Sequence, residues 1–183
     1  MRFNRLTILL AALVAALSIT AVAVAASVPG TDGDDTLTGT AESDVIRAKK
    51  GNDTVNAGAG GDRVKGQAGD DKLNGEGDDD RIDGDRGDDT IDGGTGDDRL
   101  KGGRGRDTLS GGEGDDVINA RGDRRKGGRD NIACGPGEDR VRADRNDTVA
   151  ADCETVRRPG DRRREAENRG RTDDRGRSQD RRS

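Results

Sequence analysis

The sequence predicts an all-β solenoid, a stack of short parallel strands, from three observations. An aliphatic residue recurs at every ninth position through ten consecutive repeats. An aspartate stands two residues before every one of these anchors, and a glycine stands four residues before eight of them. A fixed short period of this kind indicates a solenoid rather than a globular core. The aliphatic anchors are Leu37, Ile46, Val55, Val64, Leu73, Ile82, Ile91, Leu100, Leu109 and Ile118.

The aspartates and glycines of the repeat are the candidate metal-binding residues. The aspartates are Asp35, Asp44, Asp53, Asp62, Asp71, Asp80, Asp89, Asp98, Asp107 and Asp116. The glycines are Gly33, Gly51, Gly60, Gly69, Gly87, Gly96, Gly105 and Gly114. Glu42 and Asp78 replace the glycine in the other two repeats. Because Asp tolerates a left-handed backbone better than Glu, we expect the weaker site near Glu42.

Each repeat reads as a turn followed by a strand. In the repeat at 84–92, the glycine-rich first six residues suit a tight turn, and Thr90, Ile91 and Asp92 suit a short strand. Alternation sends Ile91 inward and its two neighbours outward. Each strand therefore contributes one aliphatic side chain to a thin core.

The composition indicates that this core is too small to stabilise the fold without a bound ligand. Charged residues make up 39% of the chain and hydrophobic residues 27%, much of the latter in the first 26 positions. The chain has no histidine, and the repeats have no cysteine, so zinc and copper are poor fits and imidazole catalysis is excluded. Calcium takes six to eight oxygen ligands from carboxylates and backbone carbonyls, which Asp and glycine turns supply. The sequence therefore predicts Ca²⁺ as the cofactor.

These residues resemble the RTX, or haemolysin-type, calcium-binding nonapeptide family over residues 30–119. The resemblance implies a right-handed parallel β-roll in which two nonapeptides make one coil. Successive aspartates then fall into two columns, with neighbours about 4.8 Å apart. Two such charges repel by about 3.5 kcal/mol at an effective dielectric near 20. With ions between consecutive coils, as the family implies, the ten aspartates would enclose about eight.

The first 26 residues read as a secretory signal peptide. Arg2 and Arg5 precede an apolar run that ends in small residues, and Ala23 and Ala25 suit cleavage after Ala25 or Ala26. An uncleaved membrane anchor is the alternative, because the run is long enough to span a bilayer. Since the family's usual export signal is C-terminal, this leader indicates the general secretory route and an extracellular location.

The repeat decays after residue 119. The next anchor, Ile132, comes five residues late, and the region 120–156 reads as an irregular cap. Cys134 and Cys153 lie about one coil apart, so a disulfide is expected. Residues 27–156 carry a net charge of −12, whereas the arginine-rich tail at 157–183 carries +5 and is expected to be disordered. An anionic envelope polymer is a possible partner of this tail.

The leading functional hypothesis is a secreted, non-enzymatic protein that folds on binding calcium. A calcium-dependent adhesin or envelope-associated protein is the alternative. An enzyme is disfavoured because repeats, cap and tail use up the chain, and neither nucleic acid nor a small-molecule substrate is expected. An ice-binding face is disfavoured because the residues before the anchors, read in sequence, form a mixed row. That row begins Thr36, Val45, Thr54, Arg63, Lys72, Arg81, Thr90, Arg99.

Overall fold

The computed structural model describes residues 25–122 and 128–161. All but the last two residues of the predicted leader lie outside these ranges, as does the predicted tail beyond Asp161. Within the described ranges, no helix is long and apolar enough to cross a membrane.

The described chain is a parallel β-solenoid, which confirms the predicted fold class. The odd-numbered strands form an eight-stranded sheet in the order β1-β3-β5-β7-β9-β11-β13-β15, and the even-numbered strands form a seven-stranded sheet from β2 to β14. The strands are β1 (Ser27–Pro29), β2 (Thr36–Thr38), β3 (Val45–Lys50), β4 (Thr54–Gly58), β5 (Arg63–Ala68), β6 (Lys72–Gly77), β7 (Arg81–Arg86), β8 (Thr90–Thr95), β9 (Arg99–Arg104), β10 (Thr108–Glu113), β11 (Val117–Asn119), β12 (Asn131–Ala133), β13 (Arg140–Arg142), β14 (Thr148–Val149) and β15 (Thr155–Arg157).

One coil of the solenoid consists of two repeats. Each strand pairs in parallel with the strand two places along the chain, so that Leu73 lies opposite Ile91 and Val64 lies opposite Ile82. The anchors of both sheets point inward and form one core, in which Ile82, Ile91 and Leu109 are each 1% exposed. Val28 continues the series one repeat before Leu37, opposite Ile46.

The central strands are longer than the sequence predicts. β8 runs from Thr90 to Thr95 rather than ending at Asp92. Its pairing with β10 includes Gly94 opposite Gly112, so the sheet continues into the glycine pair that opens the next repeat. Gly94 and Gly112 have φ values of 111° and 114°, which glycine adopts without a steric penalty. The turn that remains is short.

The solenoid continues past the insertion that follows residue 119. Ile132 lies opposite Leu109, and Val141 lies opposite Ile118, so both sheets keep their register across it. The last coils are shorter, with Val149 opposite Ile132 and Val156 opposite Val141. The weak echoes at the end of the repeat region therefore form real strands, and β15 reaches Arg157, the first residue of the predicted tail.

A disulfide joins Cys134 and Cys153, as the spacing predicts, with their Cα atoms 5.2 Å apart. Cys134 is fully buried and points into the core beside Ile132. The bridge therefore joins two neighbouring coils within the cap.

Candidate metal centre

The aspartates of the repeat lie inside the solenoid turns, stacked in two columns. Each one after Asp35 accepts, through Oδ1, a hydrogen bond from the backbone N–H of the column residue one coil earlier. Asp71 donates to Asp89 at 3.0 Å, and Asp80 donates to Asp98 at 2.8 Å. Column one contains Asp35, Asp53, Asp71, Asp89, Asp107, Asp130 and Asp147. Column two contains Asp44, Asp62, Asp80, Asp98, Asp116, Asp139 and Glu154.

Both columns extend beyond the ten aspartates that the strict period identifies. Asp130, Asp139 and Asp147 are buried members of the same columns, displaced in sequence by the insertion and the shorter last coils. The triplets Asp130-Asn131-Ile132 and Asp139-Arg140-Val141 repeat the Asp-x-aliphatic spacing, and this signal could have found them. Asp35, by contrast, is only partly buried because it lies in the first coils.

The second carboxylate oxygen of most column aspartates has no hydrogen-bond donor. These Oδ2 atoms are buried, and a buried charged acceptor without a partner is strongly unfavourable. Nine of them occur within the described residues. They belong to Asp53, Asp62, Asp71, Asp80, Asp89, Asp98, Asp107, Asp116 and Asp139.

Backbone oxygen atoms lie close to these orphaned carboxylate oxygens. At Gly84, the position of an added Cβ would clash with Asp89 Oδ2 and would also lie 2.8 Å from the carbonyl oxygen of Gly102, one coil on. Gly66 shows the same relationship to Asp71 Oδ2 and the Gly84 carbonyl. A carboxylate and a carbonyl from adjacent coils thus converge on the space that the missing side chain leaves.

This donor set fits a hard divalent cation. No group of three or more His, Cys, Asp or Glu side chains suited to hold a metal is found in residues 25–122 and 128–161. Ligands here would instead be single carboxylates from each coil, completed by backbone carbonyls such as those of Gly84 and Gly102. An all-oxygen set of carboxylates and carbonyls is what calcium uses, and it offers no soft ligand for zinc or copper.

Burial raises the pKa of the interior column carboxyls. Desolvation is the largest cause at Asp89, opposed by the hydrogen bond from the Asp71 N–H and reinforced by the charges of Asp107 and Asp71. The same causes raise the pKa at Asp53, Asp62 and Asp139. The raised pKa values are about 6 for Asp71, Asp98 and Asp107, about 7 for Asp80, Asp116 and Asp130, and about 8 for Asp89.

Asp44 differs from the other buried members of the columns. Burial alone would raise its pKa, but hydrogen bonds from the backbone of Ala26 and from the backbone and hydroxyl of Thr40 lower it below the usual value. Both of its carboxylate oxygens have donors, since the Thr40 N–H reaches Oδ2 at 2.5 Å. The first buried carboxylate of column two is therefore satisfied by protein groups.

Most of the predicted turn glycines adopt the left-handed backbone that the turn requires. Gly87 has a φ of 124°, and an added Cβ there would strike the carbonyl oxygen of Gly69. Asp78 and Glu42 replace the turn glycine in two repeats. Asp78 takes a left-handed φ of 67°, whereas Glu42 does not adopt a left-handed backbone. Gly33, the first predicted turn glycine, also lies outside the left-handed region. The predicted glycines with positive φ are Gly51, Gly60, Gly69, Gly87, Gly96, Gly105 and Gly114.

A second set of acidic residues, which sequence reasoning missed, lines the outside of the turns. Each accepts a hydrogen bond from the backbone N–H one coil later, in the opposite direction to the buried columns. Asp88 donates to Asp70 Oδ1 at 2.8 Å, and Asp97 donates to Asp79 Oδ1 at 2.9 Å. The acidic pairs in the sequence, such as Asp88-Asp89, were the available signal. These exposed residues form an outer ladder of Asp34, Asp70, Asp79, Asp88, Asp97 and Asp115.

The two sheets present chemically different outer faces. At the positions beside its anchors, the eight-stranded sheet turns nine basic residues and one acidic residue, Asp83, outward, and we call it the basic face. At the positions beside its anchors, the seven-stranded sheet presents mostly threonine and asparagine, with one Lys and one Asp, and we call it the threonine face. The basic residues are Arg47, Arg63, Lys65, Arg81, Arg99, Lys101, Arg140, Arg142 and Arg157.

This sorting corrects the mixed row that the sequence suggested. Thr36, Thr54, Thr90 and Thr108 lie on one sheet, whereas the arginines that alternate with them lie on the other. They alternate along the chain because consecutive repeats belong to opposite sheets. The mixed order is therefore no argument about either face, although Lys72 does interrupt the threonine column.

The comparison with known families agrees with this geometry. The model of the RTX calcium-binding nonapeptide repeat matches residues 29–64, 57–91 and 92–124. No curated protein matches the chain. The matched residues cover just over half of the sequence and coincide with the central coils. The chain therefore belongs to the RTX calcium-binding nonapeptide repeat family and is a calcium-binding β-roll protein.

Proposed function

We propose that the protein is secreted, has no enzymatic activity, and acquires its fold when calcium enters the two aspartate columns. The observation that carries this proposal is the set of nine buried Oδ2 atoms without a donor. A chain that folds around unsatisfied carboxylates must either protonate them or supply cations. At neutral pH, calcium is the cation that suits their oxygen-only surroundings.

The ligands proposed are the aspartates of the strict repeat after Asp35 and Asp44, whose carboxylate oxygens already have protein donors, together with the carbonyl groups of the turn glycines. Asp71, Asp89 and Asp107 illustrate the arrangement, because each holds one oxygen on a neighbouring N–H and leaves the other free. Bound calcium supplies the positive charge that offsets these carboxylates. The backbone hydrogen bonds hold the carboxylates in place, so each aspartate both orients itself against the adjacent coil and offers an oxygen to the ion.

Folding is expected to depend on this charge compensation. The core receives one aliphatic side chain from each strand, and the positions two residues further on carry only small residues such as Ala48 and Gly84. So thin an apolar core does not offset the entropy of ordering the chain. A ligand that binds only the folded state adds its binding free energy to stability, and many sites act together.

Secretion is supported by the first 26 residues and by the disulfide. Basic, apolar and small-residue segments follow one another in the order of a signal peptide. The Cys134–Cys153 bridge suits an oxidising compartment. Extracellular calcium would then be the signal that lets the exported chain fold.

Circular dichroism of the chain without its leader, in calcium and in chelator, tests the central proposal. We expect strand structure in calcium, little in chelator, and a calorimetric stoichiometry that counts the sites. Asp89→Asn should weaken calcium-induced folding. Asp92→Asn is the control, because it removes the same charge from an exposed strand position. Identical spectra in calcium and chelator would refute the proposal.

A second candidate function is adhesion to an anionic envelope polymer, and the basic face favours it. Arg63, Arg81 and Arg99 lie in direct register on neighbouring strands. Like charges placed directly opposite one another destabilise a sheet, and strands are spaced by about 4.8 Å. A chain with a net charge of −5 nevertheless concentrates these cations on one face. An acidic polysaccharide with regularly spaced carboxylates would complement that face.

Retention on an immobilised acidic polysaccharide tests this second function. The triple variant Arg63→Gln, Arg81→Gln and Arg99→Gln should lose retention in calcium. Alanine at Thr54, Thr90 and Thr108 on the threonine face is the control and should retain it. A chain ending at Asp161 separates this face from the predicted tail: if its retention disappears while the face is intact, the tail is responsible.

A further inference from the structure

Column two does not begin with an aspartate. Ala26 lies 18 residues before Asp44 and occupies the column position of the preceding coil. Its backbone nitrogen lies 2.5 Å from Asp44 Oδ1, as the Asp44 nitrogen lies 2.6 Å from Asp62 Oδ1. Its carbonyl oxygen accepts the Val45 N–H at 2.9 Å. Ala26 is thus fully part of the first coil, although its side chain brings no carboxylate.

The surroundings of Asp44 therefore differ from those of the interior aspartates. The Asp44 carboxylate is only 2% exposed, and its named donors are the Ala26 N–H, the Thr40 N–H and the Thr40 hydroxyl. Further inside the column, a carboxylate has another carboxylate on the coil before it. Here that place is taken by the methyl group of Ala26, so a divalent ion between these two coils would have only one column carboxylate.

The sequence places a candidate processing site directly before this residue. Ala23-Val24-Ala25 has the small-x-small pattern that signal peptidases use. Cleavage after Ala25 would leave Ala26 as the first residue and convert its backbone nitrogen into an α-ammonium group. Cleavage after Ala26 would remove both the donor to Asp44 and the acceptor for Val45.

We propose that the leader is cut after Ala25 and that the α-ammonium of Ala26 remains on the Asp44 carboxylate, where it closes column two with a fixed positive charge. The inference rests on the proposed secretion. Hydrolysis of the Ala25–Ala26 peptide bond consumes one water and yields a carboxylate on the leader and the ammonium on the mature chain. Because folding requires extracellular calcium, the bond is cut before β1 forms.

The arrangement makes processing part of the fold. Hydrogen bonds between an ionised donor and a carboxylate are roughly twice as strong as neutral ones. The mature N-terminus therefore supplies at the open end of the column the kind of compensation that calcium supplies inside it. An uncut or differently cut chain would present Asp44 with a neutral amide or with no donor from residue 26.

Intact-mass measurement and N-terminal sequencing of the exported protein test the processing site. The full chain is expressed in a secreting bacterial host, and we expect the mature protein to begin at Ala26. A mature chain that begins at Ser27 or later would overturn this inference and leave secretion standing. A chain that is never cut would contradict both the inference and the proposed secretion. Neither result bears on calcium-induced folding, which is measured separately.

Blocking the new amino group tests the role of its charge. Chains that begin at Ala26, prepared with a free or an acetylated N-terminus, are unfolded with urea in calcium. We expect acetylation to lower the folding equilibrium constant by about fivefold to tenfold, as loss of a charge-assisted hydrogen bond implies. The effect should vanish with Asp44→Asn and persist with Asp32→Asn, an exposed aspartate of equal charge. An equal effect in both variants, or none in the unsubstituted chain, would overturn the assignment.

Discussion

The backbone at the corners of the solenoid adopts positive φ values that favour glycine, but some of these positions hold other residues. Lys49, Gln67 and Asp85 have φ values of 88°, 82° and 75°. They occupy successive coils at one corner of the eight-stranded sheet, where the next coil has Gly103. A side chain in this conformation costs on the order of 1 to 2 kcal/mol. The fold carries that cost in three adjacent coils.

Relieving this strain should stabilise the protein. We expect Gln67→Gly to raise the free energy of unfolding in calcium by up to about 1 kcal/mol, since the strain exceeds the entropic cost of glycine. The control is Lys65→Gly, two residues earlier in the extended strand, which should lower stability by about 0.5 to 1 kcal/mol. Urea unfolding measures both, and the opposite order of effects would contradict the strain at Gln67.

The turn glycines should be much less tolerant. At Gly87, the left-handed φ and the backbone carbonyl of Gly69 both oppose a side chain. We expect Gly87→Ala to cost about 1 to 3 kcal/mol and to weaken calcium binding. Gly77→Ala is the control, because its added Cβ would meet only Thr95 Oγ1 at 3.5 Å. If both variants unfold at the same urea concentration, the turn does not require glycine at 87.

The sequence predicts the positions of the column residues better than their surroundings. The spacing from Asp89 to Ile91 identifies the aspartate, because the strand period fixes where both residues fall. That the carboxylate turns inward and accepts the Asp71 N–H depends on contacts between coils, which no single repeat contains. The outer ladder was missed for the same reason, since Asp88 is an ordinary polar turn residue until the next coil stacks on it.

Among the elements, the disulfide-linked cap holds the least regular coils. The cap lacks the strict period, and β14 contains only Thr148 and Val149. Cys134 lies on the inward side after β12, where other coils have a buried Ala or Gly. The covalent bond thus compensates for short strands at the end of the solenoid.

Breaking this bond should destabilise the cap. Replacing both cysteines with serine is expected to lower the free energy of unfolding by about 3 kcal/mol, as the closed loop of 19 residues implies. Urea unfolding with and without reductant measures the effect. Reductant should shift the midpoint of the natural chain and leave the serine variant unchanged. Equal midpoints for oxidised and reduced natural chain would contradict a structural role for the bond.

The elements also show why the surface was harder to predict than the core. Every anchor is aliphatic. The predicted core is therefore the same whichever of the two sheets a strand is assigned to. The residues beside the anchors are different on the two sheets, as Arg81 and Thr90 illustrate. The two kinds of residue separate only when every second repeat is grouped together. The two-repeat coil therefore has to be used to sort the outward residues as well as the anchors.

At the scale of the whole molecule, the buried carboxyls make calcium-free folding depend on pH. The folded-state pKa values of about 6 to 8 exceed the ordinary value of 3.8. A group with a raised pKa stabilises the folded state fully below its unfolded pKa, and this contribution disappears as pH rises through the folded pKa. Without calcium, the solenoid is therefore favoured by acid and disfavoured at neutral pH and above.

We expect the metal-stripped chain to gain strand structure on acidification from pH 8 to pH 5. Added calcium should increase the strand content less at pH 5 than at pH 8, because a protonated carboxyl needs no cation and protons compete with calcium for the same carboxylates. Circular dichroism at each pH, with and without added calcium, measures both trends. A calcium-free chain whose spectrum is independent of pH would contradict the raised pKa values.

The alternation of consecutive repeats between two sheets restricts how such a chain can change length. Gaining or losing 18 residues adds or removes one whole coil, and every later residue stays on the same sheet. A single nonapeptide would keep anchors and aspartates stacked, yet it would carry Arg99 and all that follows to the opposite side. An odd or an even number of added repeats gives the same core, but an odd number exchanges the residues on the two outer faces. Duplication of two repeats at a time therefore lengthens the solenoid without exchanging its two outer faces. The insertion before Ile132 likewise leaves the later strands on the sheets that the alternation assigns to them.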